Sequence, residues 1–131
     1  NTRVQAQDYP SGLTHLAFSG GTLQVFKIDA DPGKNIRVRI SARSIALART
    51  MPEQTSFQNI FKGTIQDIVI RNGIFADIYL DIGCPIISRI TMGSLFQLNL
   101  KTGMEVFVLI KSMDVSPGTL HQPEQPPTRN E

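Results

Sequence analysis

Apolar and polar side chains alternate with a period of two through most of this chain, and short clusters of glycine, proline, asparagine and aspartate interrupt the alternation. That combination predicts short strands joined by tight turns. From Leu13 to Ala48 the order reads strand, Gly20-Gly21 turn, strand, Asp31-Pro32-Gly33-Lys34 turn, strand. In the last of these strands Ile36, Val38 and Ile40 alternate with Asn35, Arg37, Arg39 and Ser41, so one face packs and the other carries arginines. Further on, Thr64 to Arg71 is rich in isoleucine and valine, Asn72-Gly73 is a strong hairpin signal, and Ile74 to Ile82 alternates again. There Ile74, Ala76, Ile78, Leu80 and Ile82 share one face, opposite Phe75, Asp77, Tyr79 and Asp81. A strand is expected from Ile86 to Ile90 and a last one from Glu105 to Lys111 after a Lys101-Thr102-Gly103 turn. Between them Thr91 to Leu98 reads as one or two helical turns with Thr91 as N-cap. The fold class expected is all-β: small OB-like barrel lobes with one short helix.

Composition sharpens the organisation. The chain has 131 residues, 40% of them hydrophobic, which suits one compact domain or two small lobes sharing a core. Residues 1–12 read as a polar lead-in ending in a Tyr9-Pro10-Ser11-Gly12 turn, 13–48 as a first β lobe, 49–55 as a connector with Pro52, and 56–115 as a second lobe. Residues 116–131 hold four of the eight prolines and no hydrophobic pattern, so they are expected to be a disordered tail. The start at Asn1 reads as a fragment of something longer. No apolar run approaches the ~20 residues of a membrane span. A net charge of +2 does not argue for nucleic acid, and Phe57, Phe61, Phe75 and Tyr79 lack the basic stripe an OB-type nucleic-acid binder needs. The single cysteine, Cys84, excludes an internal disulfide and a thiolate cluster. His15 and His121 have no partners at metal spacing, and no G-x-x-x-x-G-K-[ST] string is present to bind ATP.

The chemistry-bearing residues gather between Ser56 and Ser112. This stretch brings hydroxyls, an amide and lysines to turn positions with no catalytic base. Asp77 and Asp81, at alternate strand positions, read as solubilising charges. Such an inventory suits binding an oxyanion better than transforming one, because a tetrahedral dianion offers only acceptor oxygens. The plainer readings are that Thr91 caps a helix, that Asn59 and Gly63 shape a turn, and that Lys111 is a solvated charge.

Read in order, Ser56, Asn59, Gly63, Ile65, then Leu80, Asp81, Gly83, then Ile90, Thr91, Ser94, then Leu98, Leu100, Gly103, and finally Ile110, Lys111, Ser112 resemble the pattern of the Mop domain, a molybdate-binding module. With the string Val38 to Ala48 ahead of it, the region from Leu13 to Val115 resembles the C-terminal regulatory (TOBE/Mop) domain of molybdate transporter ATP-binding subunits of the ModC type. The resemblance implies an oxyanion site formed by Ser56, Gln58, Asn59, Thr91, Ser94, Lys111 and Ser112, with molybdate or tungstate as ligand. Two positions depart from the pattern. Gln58 stands where many family members carry arginine, and Cys84 where a second glycine is common.

What the resemblance implies for function is a domain that senses intracellular oxyanion and inhibits transport. It also implies a homodimer, membrane permease partners reached through a parent ATPase, and a cytoplasmic location at the inner face of the membrane without insertion. The alternatives are a structural dimerisation module that binds no ligand, for which Gln58 is the best sign, and a free-standing molybdate-binding protein.

Overall fold

The structure is a computed structural model and describes residues 2–8, 13–26 and 32–117. The first half supplies β1 (Thr2–Asp8), β2 (Leu13–Phe18), β3 (Gly21–Phe26), β4 (Asn35–Ile36), β5 (Val38–Ile40) and β6 (Ile45–Ala48). The second supplies β7 (Asn59–Arg71), β8 (Phe75–Asp81), β9 (Pro85–Thr91), the helix α1 (Met92–Leu98), β10 (Glu105–Ile110) and β11 (Val115–Pro117). Short 3₁₀ turns at Ala42–Ser44 and Ser112–Asp114 separate β5 from β6 and β10 from β11.

Local chemistry accounts for the punctuation. Asn72 and Gly73 both take positive φ, 54° and 66°, and with Ile74 they form the turn that reverses β7 into β8, where Arg71 pairs with Phe75. Thr91 caps α1 by accepting the Ser94 N–H at 3.1 Å, and Asn99 ends the helix in the left-handed region. The alternating apolar positions face inward as expected: Ala76, Ile78 and Leu80 of β8 and Ile82 just past its end are buried, with Ile65, Val106, Val108 and Ile110 among the other core residues. Ile74, expected on the same face, is 59% exposed because it lies in the turn ahead of β8.

The strands form a sheet ordered β3-β2-β1-β4, a sheet ordered β6-β10-β7-β8-β9, and a pair β11-β5. The larger sheet curls into a barrel, and the buried Ser88 hydroxyl of β9 donates to the Ile45 carbonyl of β6 at 2.5 Å to bring its two edges together. The two halves exchange their last strands. β6 pairs with β10 through Ile45↔Ile110, and β11 pairs with β5 through Val115↔Ile40. One apolar core runs through both halves, from Leu16, Leu23 and Val25 to Ile78, Leu80 and Val108.

Register shows that the two halves are copies of one unit. β1 pairs with β2 through Arg3↔Ala17 and Val4↔Leu16, skips Gln5, and resumes at Ala6↔His15. β7 pairs with β8 through Thr64↔Asp81 and Ile65↔Leu80, skips Gln66, and resumes at Asp67↔Tyr79. The bulge is therefore at the same place in both. Matching the ladders equates Leu13 with Asp77, Phe18 with Ile82, and Gln24 with Ile87. The pairs Thr2↔Ile36 and Gly63↔Val106 equate β4–β5 with β10, so Ile40 stands where Ile110 does. Within the described residues, α1 and the first residues of β7, Asn59–Lys62, have no counterpart in the first half.

Two strands differ from expectation. Thr2–Asp8, read as lead-in, is a full strand paired on both sides, held by ladder hydrogen bonds that a polar sequence makes as well as an apolar one. Ser116 and Pro117, assigned to the tail, belong to β11, where the Ser116 hydroxyl donates to the Arg39 carbonyl at 3.5 Å. The expected turn at Tyr9-Pro10-Ser11-Gly12 and the chain beyond Pro117 lie outside the described residues.

Candidate functional site

β7 and β10 bring most of the expected oxyanion residues to one end of the barrel. Asn59 opens β7 opposite Ile110, the last residue of β10, so the exposed Ser56 and Gln58 enter β7 at the end where Lys111 and Ser112 leave β10. The Thr55 hydroxyl accepts the Phe57 N–H at 3.2 Å and shapes the turn. Phe57 lies under Lys111, whose Nζ is 5.7 Å from the ring centroid. The ring face holds the ammonium by its quadrupole and leaves its other side to solvent.

Asn59 and Ser112 are buried and turn the other way. The Asn59 Oδ1 accepts the Gln24 N–H at 2.6 Å, and its Nδ2 donates to the Gln24 carbonyl at 2.7 Å and the Ile110 carbonyl at 3.2 Å. The Ser112 hydroxyl donates to the same Gln24 carbonyl at 2.6 Å. These two side chains fasten β3 of the first half to the second, and that is the work their hydrogen-bonding capacity does here.

Thr91 and Ser94 sit elsewhere. Thr91 pairs with Phe75, and Phe75 with Arg71 at the far end of β7. The 13-residue β7 thus separates them from Asn59 by about 40 Å of extended strand. The Thr91 hydroxyl donates to the Ser94 hydroxyl at 3.1 Å while accepting the Ser94 N–H, so both are ordered at the start of α1. Single-chain geometry therefore gives two groups of candidate residues. One holds Ser56, Gln58, Asn59, Lys111 and Ser112; the other holds Thr91 and Ser94.

Arginines stand near the second group. The Arg43 and Arg89 guanidinium carbons lie 5.6 Å and 5.7 Å from the centroid of Phe75, the strand neighbour of Thr91. Arg89 grips Asp77 with two hydrogen bonds, at 2.7 and 3.0 Å, and Arg71 adds one at 3.0 Å. Asp77, expected as a solubilising charge, is instead a buried carboxylate at the centre of this cluster. Asp77 and Arg89 are directly opposite across β8 and β9, an alignment that alternation within either strand does not disclose.

The hydrogen bonds from Arg89, and after them those from Arg71, hold the Asp77 carboxyl below the usual carboxylate range despite its burial. The native state therefore binds fewer protons here than the unfolded chain. Its contribution is complete above the ordinary carboxylate pKa of about 4 and is lost as pH falls through the lower folded value. Asp77→Asn is expected to lower the urea midpoint at pH 7, with the gap to the parent closing below about pH 4. A gap independent of pH would show that the charge is not what matters.

The fold and these groups together define an OB-type β module offering hydroxyls, an amide and cations. More narrowly, residues 55–117 match the model of the TOBE domain and belong to that family. It is similar to proteins named molybdenum import ATP-binding protein ModC. The relative from Paramagnetospirillum magneticum is 33% identical over 116 residues, 88% of this chain and 32% of that protein. The one from Rhizobium johnstonii is 40% identical over 111 residues, 84% of this chain and 31% of that protein. The chain thus spans about a third of these relatives. Among solved structures, the cytoplasmic molybdate-binding protein ModG with molybdate bound has the same fold. Its TM-score is 0.78 at 22% identity, covering 89% of this chain and 92% of that one.

Proposed function

We propose that this chain is an oxyanion-binding regulatory domain of the ATP-binding subunit of a molybdate importer, taking molybdate or tungstate and lowering transport when the ion is abundant. The observation that carries the reading is the exposed grouping of Ser56, Gln58 and Lys111 on the fold of a molybdate-bound protein. The ordered hydroxyls Thr91 and Ser94 lie at the opposite end of β7. A homodimer that apposes these two ends assembles hydroxyl, amide and ammonium donors around one ion, and binding then couples to association. In the parent protein the domain acts beside the permease subunits at the inner face of the membrane. The ion shifts the population toward the inhibited arrangement by its higher affinity for it.

Calorimetric titration with molybdate, with sulfate as control, tests this at a concentration where the dimer persists. Lys111→Ala with Ser94→Ala is expected to weaken molybdate binding by at least about 100-fold, since each removes a hydrogen bond to a charged group worth ~1.5–3 kcal/mol. Unchanged affinity in the double variant sinks the site assignment. A second reading, a dimerisation module without ligand, is favoured by the internal use of Asn59 and Ser112 and by glutamine at position 58. Absence of binding heat and of any rise in melting temperature with either anion would select it.

A further inference from the structure

Three arginines meet in a cleft away from both groups of oxyanion residues. The cleft has a volume of about 520 Å³, and Arg39, Ser41, Arg43, Arg89, Asp114 and Ser116 supply its polar lining. They come from three segments. β5 and the 3₁₀ turn after it give Arg39, Ser41 and Arg43, β9 gives Arg89, and the second 3₁₀ turn with β11 gives Asp114 and Ser116. β11 is held to β5 by the Ser116↔Arg39 pair and by the Ser116 hydroxyl, which donates to the Arg39 carbonyl. The exchange of final strands between the halves therefore builds this cleft, because β11 carries residues of the second half to the β5 of the first.

Its positive charge exceeds what neighbouring carboxylates neutralise. Arg39 and Arg43 are exposed, and among the described residues neither enters an ion pair. Arg43 rests its guanidinium carbon 5.6 Å from the Phe75 centroid, a contact that orients the planar fork without consuming its N–H donors. Arg89 shares the Asp77 carboxylate with Arg71, so that triad keeps a surplus of positive charge. Asp114 lines the cleft but pairs with none of its arginines. The Ser41 hydroxyl accepts the Arg43 N–H at 3.3 Å, which leaves its own proton free to donate. Unpaired guanidinium forks beside a free hydroxyl proton suit an anion with several acceptor oxygens.

We propose that this cleft binds a soluble phosphate monoester, its phosphate held by Arg39 and Arg43 and its hydroxyl-bearing remainder by Asp114 and Ser116. Guanidinium forks match phosphate oxygens two at a time. The volume falls within the ~300–1,000 Å³ of small-molecule sites, which leaves room for an organic group beside the phosphate. Asp114 selects for that group, since a carboxylate repels a bare anion but accepts hydrogen bonds from hydroxyls. Arg89 contributes as a fixed charge, two of its nitrogens being committed to Asp77. No residue assigned to the molybdate site lines the cleft, so this inference is independent of that reading.

The test is calorimetric titration of the chain with ribose 5-phosphate, inorganic phosphate and ribose. The ester is expected to bind at least about tenfold more tightly than inorganic phosphate, and ribose not at all. Arg39→Gln with Arg43→Gln should weaken the ester by at least about tenfold, with the melting temperature in the absence of ligand unchanged because both side chains are exposed. Asp114→Asn should narrow the gap between ester and inorganic phosphate. Lys111→Ala with Ser94→Ala should leave the ester affinity where it was, which separates this cleft from the molybdate site. The proposal is overturned by the absence of heat with the ester, by full affinity in the double arginine variant, or by equal affinity for ester and inorganic phosphate. Capture by phosphatidic acid vesicles without binding of ribose 5-phosphate would overturn it as well, because the phosphate would then belong to a lipid.

Discussion

Gly83→Ala is expected to cost about 4 kcal/mol of stability, read from urea unfolding curves. Two independent penalties combine. Gly83 has φ +104°, a conformation L side chains rarely adopt, and a Cβ there would collide with the backbone of Gly20. The Ser19 hydroxyl donates to the Gly83 carbonyl at 2.7 Å across the same contact, so the backbones of the two halves touch where neither can yield. Gly33 and Gly73 are the controls. Both have positive φ, +90° and +66°, with open space around the Cβ position. Alanine at either should therefore cost only the backbone term, about 1–2 kcal/mol. Should Gly83→Ala prove no worse than these, close approach of the halves is not what the glycine serves. Gly20 faces the Ile82 carbonyl from the other side.

Asn59→Ala should destabilise the chain by about 3 kcal/mol in the absence of any anion. Alanine would strand the half-buried N–H of Gln24 and a carbonyl of Ile110 and leave the Gln24 carbonyl with Ser112 as its side-chain donor, and each orphaned group costs ~1–3 kcal/mol before relaxation. Ser112→Ala removes one donor from a carbonyl that Asn59 also serves, so about 1 kcal/mol is expected there. Differential scanning calorimetry of both variants without ligand measures this ordering. A stable Asn59→Ala chain would mean that the amide is not the fastener between the halves.

Much of the second half was legible from residue order. The Asn72-Gly73 hairpin, the Thr91 cap and the inward face of β8 follow from local rules, and the structure has each of them. What the pattern could not report is partnership. A period of two says that a strand has an inside, not which strand lies beside it, and so the exchange of β6 and β11 went unseen. The duplication was hidden for the same reason. Leu13 stands opposite Phe26 where Asp77 stands opposite Arg89, so backbone register is retained while side-chain chemistry has diverged. β1 was missed because its residues are mostly polar, whereas its place depends on main-chain bonds. Of the candidate site, residue types could be read but not their direction. Ser56, Gln58 and Lys111 face solvent, whereas Asn59 and Ser112 face inward.

The reciprocal transfer of β6 and β11 also decides what can fold alone. Each half lends its final strand to the other's sheet and receives one in return, from partners far apart along the chain. Neither half can be excised with its sheet complete, so the natural folding unit is the pair. Its contact order is correspondingly high, which slows the search for the native pairing but ties the two halves into one cooperative transition. A disturbance at either end of the molecule is thereby felt as a change in the stability of the whole.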